Sequence, residues 1–193
     1  MNELPAREEA FALLAEYTTK PGLIKHALAV EAALCKYAAK FGEDVRAWGL
    51  VGLLHDFDYE RWPTAEDHPY RGCEILEARG YPEWFRRAIL SHADHTGVAR
   101  ESLLEKTLFA CDELCGFLTA CALVTPSKSL RDVKVKSVRK KMKSRAFAAS
   151  VSREDIVAGA AGLELDLPDH IEFVLDALRE VAGELELGGT PPE

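Results

Sequence analysis

The chain has 193 residues, of which 48% are hydrophobic and 29% are charged, and its formal net charge is −8. A chain of this size and apolar content can bury one sizeable core, which excludes an intrinsically disordered protein and favours a single domain. Ala, Leu, Glu, Lys and Arg dominate, and short runs of β-branched residues are nearly absent. This composition is typical of an all-α protein.

Five cysteines, an odd number, indicate a reduced protein rather than a disulfide framework. Cys111 and Cys115 lie four residues apart on one helix face, but no second cysteine pair supplies the other ligands of a zinc site. We therefore interpret them as small core residues. The first five residues contain no basic region followed by an apolar one, so we expect a cytoplasmic protein.

Charge is unevenly distributed along the chain. Residues 128–145 carry nine Lys or Arg and a single acid, Asp132, so this segment is +8 and the remainder about −16. The acidity of the remainder disfavours nucleic-acid or membrane adhesion, whereas the basic segment attracts anions. The alternative is a solvated helix surface. The longest apolar stretch, 108–124, contains Asp112 and Glu113, and we predict no membrane segment.

Apolar periodicity predicts successive helices separated by Gly, Pro and capping residues. The predicted spans are 6–17, about 22–40, 43–56, 67–79, 82–93, 101–123, 133–143, 152–163 and 168–186. We find no internal repeat and predict one helical domain over residues 1–193. It comprises a core at about 20–125, closing helices at 126–187 packed on that core, and a frayed tail at 188–193.

Four polar residues occupy positions where a core helix should place apolar side chains. His55 and Asp56 follow an apolar run, His26 lies on or beside the buried face of its helix, and Asp112 has only apolar or small neighbours one turn away. A buried carboxylate without a partner is costly, so these positions predict a cation, a hydrogen-bond network or water. Together the imidazoles and carboxylates suit Fe, Mn, Ni, Co or Zn.

Each residue has a structural alternative when it is taken alone. A histidine such as His26 is more often a satisfied core residue, a His-Asp pair can cap a helix end, and Asp112 can pair with a Lys or Arg from elsewhere. Further along, His68 begins the helix predicted at 67–79 and is expected to be exposed. His92 and His95 lie three residues apart, which places both rings on one face if that helix persists.

A helix histidine, a His-Asp pair after an apolar helix, and an aspartate in a later helix resemble the HD superfamily of metal-dependent phosphohydrolases. The similarity covers roughly residues 20–125. His68 and the stretches 88–92 and 103–112 are similar to the subgroup with extra histidines, whose members bind two metals.

The resemblance implies an all-α HD-type bundle that binds one or two divalent transition metal ions. The implied ligands are His26, His55, Asp56 and Asp112 around the first ion, with Asp56 bridging, and His68 and His92 around the second. His95 is an alternative to His92, since 95–97 also resembles the HD-type dinucleoside tetraphosphatases.

The activity implied by this resemblance is hydrolysis of a phosphate ester or phosphoanhydride in a small phosphorylated metabolite or nucleotide. Paired cations ~3.5–4 Å apart clamp a phosphoryl group and activate water for attack on phosphorus. We predict Asp56, Asp58 and Glu60 as catalytic residues, with Asp94 or His95 as alternative acids or bases. Candidates for binding the substrate phosphate are Lys128, Arg131 and Lys136.

Other functions stay open on the sequence alone. A di-iron oxygenase on the same scaffold would use a similar ligand set. A non-catalytic, metal-stabilised module would bind a nucleotide or partner through residues 128–145 without turnover, and nucleic-acid binding by that segment is a minority interpretation. The oligomeric state is a monomer or a homodimer.

Overall fold

The computed structural model describes residues 4–189, and within them the regular structure consists of nine α-helices and short 3₁₀ turns. The prediction of an all-α fold is thereby confirmed. The helices are α1 (Arg7–Tyr17), α2 (Pro21–Phe41), α3 (Val45–Leu54), α4 (Tyr70–Ala78), α5 (Glu83–His92), α6 (Leu103–Leu123), α7 (Val135–Met142), α8 (Arg153–Gly162) and α9 (Leu167–Glu180). Residues 190–193 of the predicted frayed tail lie outside the described residues.

The chain divides into two compact units, one ending at Phe109 and the other beginning at Ala110. The division falls inside α6, and the units are described separately below. The single domain over 1–193, and the packing of 126–187 on the core, stay predictions.

In the first unit, α2 and α3 approach each other at backbone distance. A Cβ atom placed on Gly52 of α3 would lie 2.9 Å from both the carbonyl oxygen of Val30 and the amide nitrogen of Glu31. A larger residue would therefore force the two helices apart. This contact brings α2, which carries His26, against the end of α3, which His55 follows directly.

The turn that follows α3 is tied to the connection between α1 and α2. The Thr18 hydroxyl donates a hydrogen bond to the carbonyl of Phe57 at 2.8 Å. The Glu60 carboxylate accepts bonds from the backbone amides of Thr19 and Lys20, at 2.8 and 2.9 Å. Because α2 begins at Pro21, these bonds fix the turn to the start of α2.

The start of α6 is fixed to α5 within the same unit. Ser102 and Glu105 form a reciprocal cap, since the Ser102 hydroxyl accepts from the Glu105 amide and the Glu105 carboxylate accepts from the Ser102 amide. Arg87 of α5 pairs with the other Glu105 oxygen, at 2.9 Å.

The second unit is closed by side chains of α9. His170 is fully buried and bonds the carbonyl of Ala110 at 2.9 Å. Arg179 donates to the carbonyl oxygens of Leu130 and Val133, at 3.3 and 2.9 Å, which holds the loop before α7. Within residues 4–189, no helix has both the length and the apolar character needed to cross a membrane.

Candidate metal centre

Three segments of the first unit converge on one carboxylate. Asp56 lies in the turn after α3, His68 lies two residues before α4, and His92 is the last residue of α5. His68 and His92 are only 7% and 8% exposed. Burial of two imidazoles beside a carboxylate is costly without a compensating charge, so this cluster is the first candidate for a functional site.

The ring nitrogens face Asp56 at close range. The Nε2 atoms of His68 and His92 lie 3.2 and 3.3 Å from Asp56 Oδ1. The Nε2 atom of His55 lies 3.6 Å from Asp56 Oδ2. One ligand atom each from Asp56, His68 and His92 lies within 4.8 Å of the others, so one ion could contact all three.

The opposite nitrogen of each ring is fixed by an oxygen acceptor. Nδ1 of His55 donates to the Gly52 carbonyl at 2.8 Å, and Nδ1 of His92 donates to the carbonyl of Ile89. A carbonyl oxygen can only accept, so the proton of each neutral ring is on Nδ1 and the lone pair is on Nε2. This is the tautomer in which the Nε2 lone pair can coordinate a metal.

Asp58 has a different role from Asp56, although only two residues separate them. Its carboxylate is 1% exposed, and it accepts bonds from Nδ1 of His68 and from the backbone amide of Gly72, both at 2.8 Å. A Cβ atom on Gly72 would lie 2.8 Å from the Asp58 carboxyl carbon, so only glycine allows this approach. Asp58 therefore orients the His68 ring.

The electrostatics of the Asp56–His68–His92 cluster favour a bound cation. Burial alone would raise the pKa of Asp56, but the neighbouring imidazoles His55, His68 and His92 outweigh it and hold that pKa well below its ordinary value. Burial would lower the pKa of His68, but the Asp56 and Asp58 carboxylates raise it to about 9. The cluster thus stabilises positive charge between its carboxylates, as a proton on His68 or as a metal ion.

The donor set fits a divalent transition metal. Asp56 Oδ1 is buried and accepts no hydrogen bond within the described residues, so its lone pairs are available to an ion. Two imidazole nitrogens and a carboxylate oxygen form the intermediate-hardness combination that suits Fe, Mn, Co, Ni or Zn. The Asp58 bond to His68 is the outer contact that commonly accompanies a metal-bound histidine.

Two further predicted ligands are placed separately. The rings of His26 and His55 lie edge to face, with centroids 5.1 Å apart, so the α2 histidine is directly beside the cluster in the first unit. Asp112 lies on α6 within the second unit. Its predicted place at the first ion stays a prediction.

The structure distinguishes His92 from His95. α5 ends at His92, and Ala93 is extended, so His95 does not share the helix face with His92. His95 instead donates from Nε2 to the backbone carbonyl of His68 at 2.8 Å. The expectation that His68 is exposed is wrong, because its ring is drawn inward between Asp56 and Asp58.

The other predicted residues lie on surfaces or in caps. Glu60 bonds Thr19 and Lys20 just before α2, and among the described residues it makes no hydrogen bond with the cluster. In the second unit, Lys136 lines an exposed cleft of about 700 Å³ together with other cations of α7. Lys128 lines a different cleft, of about 560 Å³. Arg131 is exposed in the 3₁₀ turn at 130–132, which lies between Lys128 and Lys136 in the sequence. Their predicted role in phosphate binding stays a prediction.

Sequence reasoning missed Gly72 and Arg100, which support His68 and His92. Gly72 lies inside a helical pattern, and an isolated glycine there is a signal for a close approach. Arg100 carries no comparable signal, because its partners are backbone carbonyls of residues 91 and 92 that any sequence would offer.

The geometry agrees with what a family comparison finds. A search of curated proteins and a search of solved structures gave no match to this chain. A family model described as the HD domain matches residues 23–116, a span that includes His26, the His55-Asp56 pair and Asp112. The chain therefore contains an HD domain, at residues 23–116.

Proposed function

We propose that this protein is a metal-dependent phosphohydrolase that cleaves a phosphate ester or phosphoanhydride of a small metabolite or nucleotide. The observation that carries the proposal is the convergence of three Nε2 atoms on the Asp56 carboxylate, with each opposite nitrogen held by an oxygen. The HD-domain match supports it, because that superfamily consists largely of such hydrolases.

We propose two ion positions that share Asp56. The first ion would be held by His26, His55, Asp56 and Asp112, and the second by Asp56, His68 and His92. When bound, such ions polarise the phosphoryl group and lower the pKa of a bound water so that hydroxide is present at neutral pH. The chain's contribution is to fix the ligands before substrate arrives, which Asp58 does for His68.

The proton donor for the leaving oxygen is assigned by elimination among the predicted acids. Both oxygens of Asp58 and both of Glu60 already accept hydrogen bonds. Asp94 is paired with Arg100. His95 donates from Nε2 to the His68 carbonyl, and within residues 4–189 its Nδ1 has no hydrogen-bond partner. We propose His95 as the general acid, in its imidazolium form, which gives the Nδ1 proton to the leaving oxygen and becomes the neutral Nε2–H ring.

The non-bridging phosphate oxygens are proposed to be bound by Lys128, Arg131 and Lys136. Steady-state kinetics can separate direct binding from a long-range effect of the positive surface charge. Neutralising a substrate-binding cation by Lys136→Gln should raise KM and lower kcat/KM. Lys143→Gln, on the same exposed cleft but outside the proposed set, is the matched control. Equal effects from both variants would show that Lys136 does not contact the substrate and acts only through the electrostatic field of the surface.

The proposed function is tested by metal reconstitution followed by a substrate panel. Purified protein is stripped with a chelator, reloaded with Mn, Fe, Co, Ni or Zn, and assayed for phosphate release from phosphomonoesters, nucleotides and dinucleoside polyphosphates. Asp56→Asn should abolish release, and Asp169→Asn, an exposed aspartate of α9, should leave it unchanged. Loss of dissolved oxygen without phosphate release would favour the oxygenase instead. Absence of any turnover with full metal loading would favour the binding module.

A further inference from the structure

The end of α5 must satisfy backbone carbonyls that have no partner within the helix. The last four carbonyls of any α-helix lack an intrahelical donor, and buried orphan carbonyls are costly. In α5 these belong to residues 89–92, and the final residue is His92, the proposed ligand of the second ion. The way these carbonyls are satisfied therefore decides how firmly His92 is held.

Every one of these carbonyls has a side-chain donor. The Ile89 carbonyl accepts from Nδ1 of the His92 ring. The carbonyl of Leu90 accepts from the Thr96 hydroxyl at 2.8 Å. The carbonyl oxygens of Ser91 and His92 both accept from the guanidinium of Arg100, at 2.8 and 3.3 Å.

Arg100 is itself fixed on two sides. Its guanidinium pairs with Asp94, which lies in the 3₁₀ turn directly after α5. Its central carbon lies 3.4 Å from the centroid of the Phe109 ring, which is stacking distance. With 22% of its side chain exposed, Arg100 lies mainly between the end of α5 and α6.

We infer that Arg100 is a positioning residue that holds the last turn of α5 so that Nε2 of His92 faces Asp56. This inference rests on the proposed function, since it assigns Arg100 to the second ion. Only arginine suits the position, because one planar guanidinium donates in several directions at once while its face stacks on Phe109. A lysine has three donors on a single nitrogen and no planar face, so it cannot reproduce the spread of the guanidinium donors while stacking on Phe109.

Arg87 provides a matched control for this role. Arg87 belongs to α5, and its guanidinium pairs with Glu105 at 2.9 Å and donates to the carbonyl of Ala99 at 2.8 Å. It thus contributes comparable bonds in the same unit but does not touch the terminal carbonyls of α5. A residue that acts only through stability should behave like Arg87.

The test compares Arg100→Gln, Arg100→Lys and Arg87→Gln for their affinity for Mn and Zn, measured by chelator competition. We expect Arg100→Gln to bind one ion normally and the other about 10–100-fold more weakly, as for loss of an outer contact to a metal ligand. Arg100→Lys should recover little of this loss. Arg87→Gln should bind both ions as wild type does, even if its unfolding temperature falls equally.

A second measurement decides the inference without metal. Long-range ¹H–¹⁵N spectra of the metal-free protein report which ring nitrogen of each histidine carries the proton. In wild type and Arg87→Gln, His92 should show one fixed Nδ1–H form, whereas in Arg100→Gln the two tautomers should average and the signals of His55 should stay unchanged. An unchanged His92 signal, or equal metal affinities for Arg100→Gln and Arg87→Gln, would overturn the inference. Wild type that binds no metal would contradict the proposed function, and the His92 spectrum would still decide the role of Arg100.

Discussion

Two charged regions of this chain differ in how their polar atoms are held. In the first unit, the two imidazoles of the Asp56–His68–His92 cluster are buried beside the partly exposed Asp56 carboxylate, and the second nitrogen of each ring is held by a backbone or carboxylate oxygen. In the second unit, the α7 basic surface is exposed, and within the described residues its cations have no ion-pair partner. This surface consists of Lys136, Arg139, Lys140 and Lys143.

The difference shows that fixed geometry, rather than charge density, marks the candidate site. Exposed lysines are free to reorient, so their charge is screened and their positions are not specified. A buried imidazole whose Nδ1 is hydrogen-bonded holds its Nε2 in a single direction. We therefore expect substitutions in the first region to change metal binding or folding, and substitutions in the second to change little besides long-range electrostatics.

The largest effect is expected from the backbone contact that supports the first region. Gly52→Ala places a methyl group 2.9 Å from the Val30 carbonyl and should destabilise the protein by about 1–3 kcal/mol. Gly22→Ala is the control, because no atom lies within 4 Å of the new Cβ and the free energy of unfolding should change little or rise slightly. Urea denaturation measures both. Equal stabilities would show that α2 and α3 can separate without cost.

The next effect concerns the carboxylate behind His68. Asp58→Asn replaces one acceptor oxygen by a donor, so it cannot accept from both His68 and Gly72, and metal affinity should fall about 10–100-fold. Asp67→Asn, a more exposed aspartate paired with Arg71, should leave the affinity unchanged. Chelator competition measures the difference. An Asp58→Asn protein with wild-type affinity would mean that His68 needs no orienting partner.

A smaller effect tests a fixed carboxylate outside the cluster. Burial would raise the pKa of Glu105, but bonds from the amides of Ser102 and Glu101 and the charge of Arg87 lower it. A lowered folded-state pKa contributes stability above the unfolded value, about 4.3, and this is lost as the pH falls through the folded value. Glu105→Gln should therefore cost about 1 kcal/mol at pH 7 and progressively less below pH 4. Urea unfolding of both proteins from pH 7 to pH 3 measures the difference, and a constant difference would contradict a role for the ionised carboxylate.

The smallest effect is expected on the α7 basic surface. Lys140→Gln removes one of several exposed cations that have no carboxylate partner in the described part of the chain, so the free energy of unfolding should change by less than about 0.5 kcal/mol. Because Lys140 repels the neighbouring cations, its replacement should raise the free energy of unfolding slightly rather than lower it. Thermal unfolding at low and high salt measures it. A loss above 1 kcal/mol would show that this surface is as fixed as the cluster.

Much of the fold could be predicted from apolar periodicity and from Gly and Pro. The nine predicted spans correspond to the nine described helices, and most ends differ by no more than three residues. The prediction for the last helix, 168–186, is wrong at its C-terminus, because α9 ends at Glu180. The span 67–79 is the clearest difference at an N-terminus, since α4 begins at Tyr70. Residues 67–69 turn instead so that His68 can point inward, which is a tertiary demand with no local signal.

The site was partly predictable for the same reason. Asp56 could be found because a carboxylate after an apolar run predicts a cation or a hydrogen-bond network, although a helix cap was a local alternative. The choice of His92 over His95 could not, because it depends on whether α5 continues past residue 92. The orienting contact of Asp58 also depends on the approach of Gly72 from a different helix, and short motifs do not encode such approaches.

Asp56 is proposed as the shared ligand of two ions, and the metal content of the purified protein tests this proposal most directly. Elemental analysis should give about two transition-metal equivalents for wild type, almost none for Asp56→Asn and about one for His92→Gln. Asp169→Asn should match wild type. Equal metal content in wild type and Asp56→Asn, or a wild-type protein that takes up no Mn, Fe, Ni, Co or Zn on reconstitution, would contradict a metal centre built on Asp56.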